Sequence, residues 1–218
     1  MGTEDGASLR QRKPKSPCLK CSLNPSLCIC SLLPILQNPL KLKTKISLII
    51  HSKELKRTTN SGRLALHCLL NSEMRVRGER LESANDDRCG LDLSDLLTQD
   101  YETLLFYPSE DAVELNKSYV ARLSKPIQLI VPDGNWRQAS KVHTRHPELE
   151  KIPRVMLKIP NLAKFHLRAE SSEFGMSTLE AIARAMAVIE GDEVGEKLLA
   201  VYRAKLERTL IGRGKISS

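Results

Sequence analysis

The stretch Gln128-Leu-Ile-Val-Pro-Asp133-Gly-Asn-Trp136-Arg-Gln-Ala139 decides how the chain folds. Leu129, Ile130 and Val131 form a short, unbroken apolar run, which reads as a buried strand rather than one wet on one face. Pro132 stops the run, Asp133 and Gly134 supply a turn, and the chain restarts as a helix carrying the single tryptophan. Strand, tight turn and helix start together mark the place where open α/β sheets collect ligands. In isolation the stretch is equally good architecture, because Asp-Gly makes turns in many settings and a tryptophan early in a helix commonly packs on its sheet.

The same pattern recurs on both sides of this stretch. Ile46 to Ile50 reads as a buried strand ending at His51, residues 73 to 80 as a short strand, Thr103 to Tyr107 as a strand ended by Pro108, and Ile152 to Ile159 as a strand leaving at Pro160. Between them lie helical stretches. One runs through Leu64 to Leu70 with Asn60 or Ser61 as cap, and one runs from Trp136 to His146, closed by Pro147. A third is the apolar run Leu179 to Ile189, for which Ser177 or Thr178 provides a cap, and Glu180 favours the same start. A last amphipathic helix, about Glu196 to Leu210, places Leu198, Leu199, Tyr202 and Leu206 on one side and Lys197, Arg203, Lys205 and Arg208 largely elsewhere. Alternating strands and helices predict an α/β fold with a mainly parallel sheet flanked by helices.

With 218 residues and 41% hydrophobic content, the chain suits one domain of ordinary core size with a small appendage. No apolar run reaches the roughly 18 to 20 residues needed to cross a bilayer, and Met1 to Lys15 is polar rather than a secretory signal, so a soluble, cytoplasmic protein without a membrane partner is expected. The formal net charge of +8 is unevenly spread. Residues 41 to 80 hold ten Lys or Arg against three Glu, and residues 82 to 114 hold ten acids against Arg88, so a basic face for a polyanion is in reach. Residues 1 to 16 have too little apolar content to offset the entropy of ordering and are expected to form a disordered basic arm.

Cys18, Cys21, Cys28 and Cys30 place four thiols within thirteen positions, as C-x-x-C and C-x-C. Four such sulfurs can surround one tetrahedral Zn²⁺ and leave no position for substrate, which makes a structural zinc knuckle the leading reading. Disulfides, an iron–sulfur cluster and redox chemistry at Cys18 and Cys21 are the competing ones. Cys68 and Cys89 stand alone and read as buried or incidental thiols. In Lys53-Glu-Leu-Lys56-Arg57-Thr-Thr-Asn60-Ser-Gly62-Arg63, cations and a helix start can converge on a phosphate, although that signal is weak by itself. His51 by itself reads as a hydrogen-bonded structural residue.

Taken in order, the Cys knuckle, Asn60-Ser-Gly62-Arg63-Leu, Asp133-Gly-Asn-Trp136-Arg-Gln-Ala139, Leu167-Arg168-Ala-Glu170 and Ser177-Thr178-Leu-Glu180-Ala resemble the DTW-domain family of tRNA-uridine aminocarboxypropyltransferases. The resemblance covers the chain from about Cys18 to the C-terminus. In that family the signature is Asp-x-Thr-Trp-x-x-Ala, and here Asn135 stands at the Thr position. The resemblance implies a SPOUT-like fold with a C-terminal knot, arranged as a knuckle over residues 17 to 36 and a catalytic domain over residues 37 to 218. It implies transfer of the 3-amino-3-carboxypropyl group of S-adenosylmethionine to N3 of a tRNA uridine, with methylthioadenosine leaving.

Uridine N3 carries a proton and is a poor nucleophile until it is removed, so a base is useful, and Asp133 is the candidate. Orienting the uracil and steadying the sulfonium are the other roles open to it. By the same resemblance, Pro132, Gly134, Asn135, Trp136, Ile159, Leu162, Arg168, Ser177 and Thr178 are expected around the cofactor, Arg168 pairing with its carboxylate. Lys56, Arg57, Asn60 and Arg63 are expected to hold the tRNA, and Cys18, Cys21, Cys28 and Cys30 the zinc. A SPOUT-type RNA methyltransferase and a catalytically idle zinc-knuckle RNA-binding module are the rival readings.

Overall fold

The computed structural model describes residues 16–78, 91–160, 167 and 176–217. Within these, six strands form one sheet: β1 (Lys45–His51), β2 (Ser72–Arg77), β3 (Glu102–Phe106), β4 (Val113–Glu114), β5 (Ile127–Asp133) and β6 (Arg154–Met156). Their spatial order is β2-β1-β5-β3-β6-β4, and every pairing is parallel, as the sequence predicts. The described helices are α1 (Pro34–Gln37), α2 (Gly62–Leu66), α3 (Lys117–Val120), α4 (Trp136–Ala139), α5 (Lys141–Arg145), α6 (Thr178–Ile189) and α7 (Asp192–Gly212). No described helix is long and apolar enough to cross a membrane.

The unbroken apolar runs are explained by a cover on each face of the sheet. Ile46, Leu48 and Ile50 of β1 and Leu129 and Val131 of β5 pack into one cluster with α2, α6 and α7 residues. Ile49 and Ile130 point the other way and pack with Leu93, Leu96, Val142 and Leu149. Cys21, Leu23 and Ile29 of the knuckle belong to the first cluster, so the knuckle shares the core of the sheet.

From β1 the chain passes to β2 on one side, whereas from β5 it passes to β6 on the other. The carboxyl ends of β1 and β5 therefore flank a switch point, where such sheets open a crevice. In the β1–β5 register Ile50 sits beside Asp133, which places that carboxylate at the crevice.

Several elements differ from their sequence-based extents. The helix expected over Trp136 to His146 is two short helices, parted where the Ser140 hydroxyl donates to the Arg137 carbonyl at 3.3 Å and competes with the helical ladder. The helix expected through Leu70 ends at Leu66, because Leu69 is instead drawn into a parallel bridge with Leu40. The strand expected over Ile152 to Ile159 is only Arg154–Met156, and β4 carries no sequence signal that stood out. The closing helix starts earlier, at Asp192, and includes Gly195, where a Cβ would stand 2.4 Å from the Cβ of Ala187 on α6.

Lys205 corrects the expected amphipathic pattern. It is 0% exposed, not on the solvent side, and its Nζ donates to the carbonyls of Cys21 at 2.6 Å and Thr58 at 3.1 Å. A long cationic side chain enters a core only with such partners for its head. The basic arm, apart from Ser16, and residues 82 to 90 of the acidic stretch lie outside the described residues, as does most of the passage from Pro160 to Met176, so the expected C-terminal knot falls largely outside them.

Candidate active site

The crevice is a cavity of about 270 Å³ lined mainly by five chain segments. Phe106, Tyr107 and Pro108 lie at the end of β3, residues 131 to 135 close β5, Met156 and Leu157 lie at the end of β6, and Met176, Ser177, Thr178 and Ala181 lie at the start of α6. Arg57, Thr59, Asn60 and Ser61 arrive from the loop after β1. Small-molecule sites start at about 300 Å³, and this hollow lies near that lower bound.

Asp133 is 6% exposed and faces this hollow. Its Oδ2 accepts from Asn60 Nδ2 at 2.6 Å, and its Oδ1 accepts from Thr178 Oγ1 at 2.5 Å. Gly62 permits the arrangement: a Cβ there would lie 2.8 Å from Asp133 Oδ2. The positive end of α6 adds a favourable field for an ionised carboxylate beside its first turn.

The two hydroxyls at the start of α6 divide the work that the sequence leaves open between them. Ser177 Oγ caps the helix by accepting from Glu180 N at 3.3 Å, while Thr178 holds Asp133. A further orphan donor, Leu179 N, is accepted by Ser61 Oγ at 3.1 Å. Ser61 therefore caps α6 from a distant loop rather than its own helix, for which it makes no side-chain cap bond.

Asn135 and Gln138 form a reciprocal cap at the start of α4. Asn135 Oδ1 accepts from Gln138 N at 2.9 Å and Gln138 Oε1 accepts from Asn135 N at 2.9 Å. The residue that departs from the family signature thus fixes the turn after Asp133. Asn60 also departs from expectation. Predicted to hold RNA, it is 5% exposed, and its amide holds Asp133 while its Oδ1 accepts from Arg63 N at 3.2 Å. A buried amide spent on two protein partners is not a phosphate contact.

Pro132, Gly134, Asn135, Ser177 and Thr178 are brought together around one cavity. Ile159 is 38% exposed and not on its wall, where Met156 and Leu157 stand instead. Leu162, Arg168 and the side chain of Trp136 lie outside the described part of the structure. Leu167, next to Arg168, is on the wall, and its carbonyl accepts from Arg213 Nη2 at 3.2 Å. Sequence reading missed Phe106 and Tyr107, although residues ending a parallel strand are natural candidates. Burial pushes the Tyr107 phenol above its usual range, against a hydrogen bond from Ser140.

Lys56, Arg57 and Arg63 line a second, smaller groove against Pro17, Cys18, Leu19 and Ser22 of the knuckle. Arg57 belongs to both hollows; its Nε lies 3.2 Å from Glu54 Oε1. Arg63 Nη1 donates to the Leu55 carbonyl at 3.0 Å. Cationic surroundings show at neighbouring His67, whose pKa is lowered by burial and then by the charges of Lys20 and Arg63.

In the knuckle the four sulfurs lie within 4.8 Å of one another, and none is in a disulfide. Cys18 faces Cys30 and Cys21 faces Cys28, both at 3.7 Å. Four ligands at about 2.3 Å from a tetrahedral centre stand about 3.8 Å apart, so the donors fit such an ion. Burial opposes ionisation of Cys18, but the backbone N–H groups of Cys21 and Lys20 prevail and hold it at about 7. Burial drives Cys21 and Cys30 up, and bringing those two to thiolate is the work of a cation. Desolvation lowers nearby Lys205 to about 8. Cys68, raised to about 12 by burial, is an inert core thiol.

Similarity to known proteins follows the same features. The curated tRNA-uridine aminocarboxypropyltransferase 2 of Drosophila melanogaster is 31% identical over 189 residues, 85% of this chain and 71% of that protein. Its Mus musculus namesake is 27% identical over 196 residues, 89% of this chain. The chain spans 63% of the mouse protein, less than two thirds of its length. Among solved structures, the SAM-dependent rRNA:acp-transferase Tsr3 from Vulcanisaeta distributa is matched at a TM-score of 0.47 and 15% identity, over 78% of this chain and 79% of that one, a likeness too slight to bear on the site. The DTW domain model matches residues 15–210, from just before the first knuckle cysteine to near the end of α7. With that match running through the knuckle, the Asp133 turn and the start of α6, the chain belongs to the DTW-domain family.

Proposed function

We propose that the chain is a tRNA-uridine aminocarboxypropyltransferase acting in the cytoplasm, with S-adenosylmethionine as co-substrate. One observation carries the reading: a carboxylate, Asp133, is buried at a sheet crevice and fixed from two sides by Asn60 and Thr178. The relatives named for this activity and the match to the DTW family support it.

Bound S-adenosylmethionine supplies an electrophilic propyl carbon next to its sulfonium. Asp133 accepts the proton leaving uridine N3 as that nitrogen bonds the carbon; the carbon–sulfur bond breaks, and its electron pair departs on the sulfur of methylthioadenosine. Because a sulfonium activates all three attached carbons, the choice of product is a matter of placement. Asn60 and Thr178 prevent the carboxylate from rotating, and the cap of Asn135 on α4 fixes the turn that presents it. Phe106, Met156 and Leu157 offer apolar wall for the nucleoside parts, and Arg168 is assigned to the cofactor carboxylate from sequence alone.

The tRNA is held by its phosphates at Lys56, Arg57 and Arg63, which share a groove, and Arg57 lines the cavity as well. Binding there weakens as salt rises. The target base leaves its stack to reach a carboxylate this deeply set. Cys18, Cys21, Cys28 and Cys30 hold a structural zinc with no open position. The decisive experiment incubates the protein with S-adenosylmethionine and unmodified tRNA and weighs the nucleosides by mass spectrometry. A uridine gaining an aminocarboxypropyl group supports the reading, a methylated uridine replaces it with the methyltransferase, and an unmodified tRNA that still binds leaves an RNA-binding module.

A further inference from the structure

Lys205 joins two parts of the molecule that the proposed reaction keeps separate. It lies on α7, fully buried, with Nζ donating to Cys21 O at 2.6 Å and Thr58 O at 3.1 Å. Cys21 is a knuckle ligand. Thr58 stands two residues before Asn60, in a turn closed by Asn60 N donating to Arg57 O at 3.0 Å, and Asn60 carries its amide to Asp133 at 2.6 Å. One ammonium thus pins both the turn that binds metal and the turn that presents a donor to the carboxylate.

Burying an ammonium is costly, and a leucine at this place would fill the core without that cost. The cost is offset only by the two carbonyls and by opposite charge nearby. Four thiolates around a divalent ion leave a formal excess of two negative charges, so the loaded knuckle is the counter-charge this ammonium faces.

We propose that Lys205 is a positioning residue that couples the metal site of the knuckle to the cofactor cavity through Cys21, Thr58 and Asn60. The inference rests on the reading of the cavity as an S-adenosylmethionine site. Loading the knuckle fixes Cys21, Lys205 hands that constraint to the 57–60 turn, and Asn60 is held on Asp133 before the cofactor arrives. Coupling of this kind is reciprocal: whatever metal does for cofactor affinity, cofactor must do for metal affinity.

The test uses the zinc-loaded full chain and measures zinc affinity by equilibrium competition with a chromogenic chelator, with and without saturating S-adenosylmethionine. Wild type is expected to hold zinc about tenfold more tightly with the cofactor present, Lys205→Met to lose most of that increment, and Lys205→Arg to recover part of it. Zinc affinity in wild type indifferent to the cofactor overturns the proposal, as does an increment that survives intact in a folded Lys205→Met. Should Lys205→Met fail to fold, the wild-type comparison and Lys205→Arg still decide. Absence of cofactor binding in wild type, read separately by calorimetry, overturns this proposal together with the reading of the cavity, whereas cofactor binding without a shift in zinc affinity overturns this one alone.

Discussion

Asn60 and Asp133, 73 residues apart in sequence, are joined by a 2.6 Å hydrogen bond that is buried at the crevice. Replacing Asp133 by Ala removes the proton acceptor, and the rate of uridine modification should fall by about 10² to 10⁴, the range a positioned acid or base supplies. Asn60→Ala keeps the acceptor and releases one of the hydrogen bonds that hold it. Loss of one hydrogen bond to a charged group costs roughly 1.5 to 3 kcal/mol, so a drop of about one to two orders of magnitude is expected. Single-turnover rates with saturating tRNA check both, and an Asp133→Ala enzyme of undiminished rate sinks the base assignment.

Gly62→Ala offers a test in which two effects have opposite signs. Helix propensity alone favours Ala over Gly by about 1 kcal/mol. The contact at 2.8 Å to Asp133 Oδ2 says the reverse, since overpacking costs about 1 to 3 kcal/mol and the carboxylate must shift. The expected outcome is a lower Tm by calorimetry together with slower modification. A Tm that rises would mean Asp133 yields without resistance.

At Asn135 the reciprocal cap with Gln138 makes a graded prediction. Asn135→Ala should cost about 1 kcal/mol and slow the reaction by loosening the turn after Asp133. Thr, the residue of the family signature, also caps helices and should lose only a few tenths of that. Thermal melts of the three proteins, read beside their rates, check the order Asn, Thr, Ala.

The sheet was legible because its strands advertise themselves: Ile46 to Ile50 and Ile127 to Val131 are apolar at every position but Ser47 and Gln128, and both faces of the sheet are covered. Ser47 and Gln128 break the runs and bond each other, Gln128 Nε2 donating to Ser47 Oγ at 2.9 Å. Asp133 was legible for a related reason, since a polar residue directly after such a run sits at a strand's carboxyl end. What local pattern cannot give is partnership across sequence. Nothing near Asn60 says that its amide will meet Asp133, or near Ser61 that its hydroxyl will cap α6. Lys205 misled because its neighbours Arg203 and Arg208 mark a wet face, while its own head finds two carbonyls from other segments. Short elements such as β4 and β6 lie below the length at which periodicity speaks.

Glu73 gives the pH prediction. It opens β2 with bonds from Lys45 at 2.6 Å, Arg75 at 2.7 Å and Ser47 at 2.9 Å. Burial works against its ionisation, yet the bonds from Lys45, Arg75 and Ser47 prevail and hold the carboxyl below its usual range. With the folded value below the unfolded one, the unfolded chain binds the proton first on acidification. The stability it contributes is therefore whole above the ordinary carboxylate range and lost as pH falls through the depressed folded value. Glu73→Gln should be less stable at neutral pH and lose less on further acidification. Urea midpoints at several pH values from neutrality down through that range and below the depressed folded value check the convergence of the two curves.

Metal removal should reach beyond the knuckle. Cys21, Leu23 and Ile29 are buried in the same cluster as Leu48 of β1, Leu129 of β5 and Ile182 of α6, so the knuckle has no core of its own to lose. A structural zinc contributes folding free energy directly, and Cys21 and Cys30, driven up by burial, take up protons inside a packed cluster when freed of it. Cys28→Ser, which leaves three of the four sulfurs, is expected to lower zinc content from one per chain toward zero and to lower the Tm of the whole protein in a single transition. Chelation of wild type should do the same. Elemental analysis paired with calorimetry checks this, and a separate low-temperature transition with the main one unmoved would show that the knuckle melts by itself and that its place in the shared cluster contributes little.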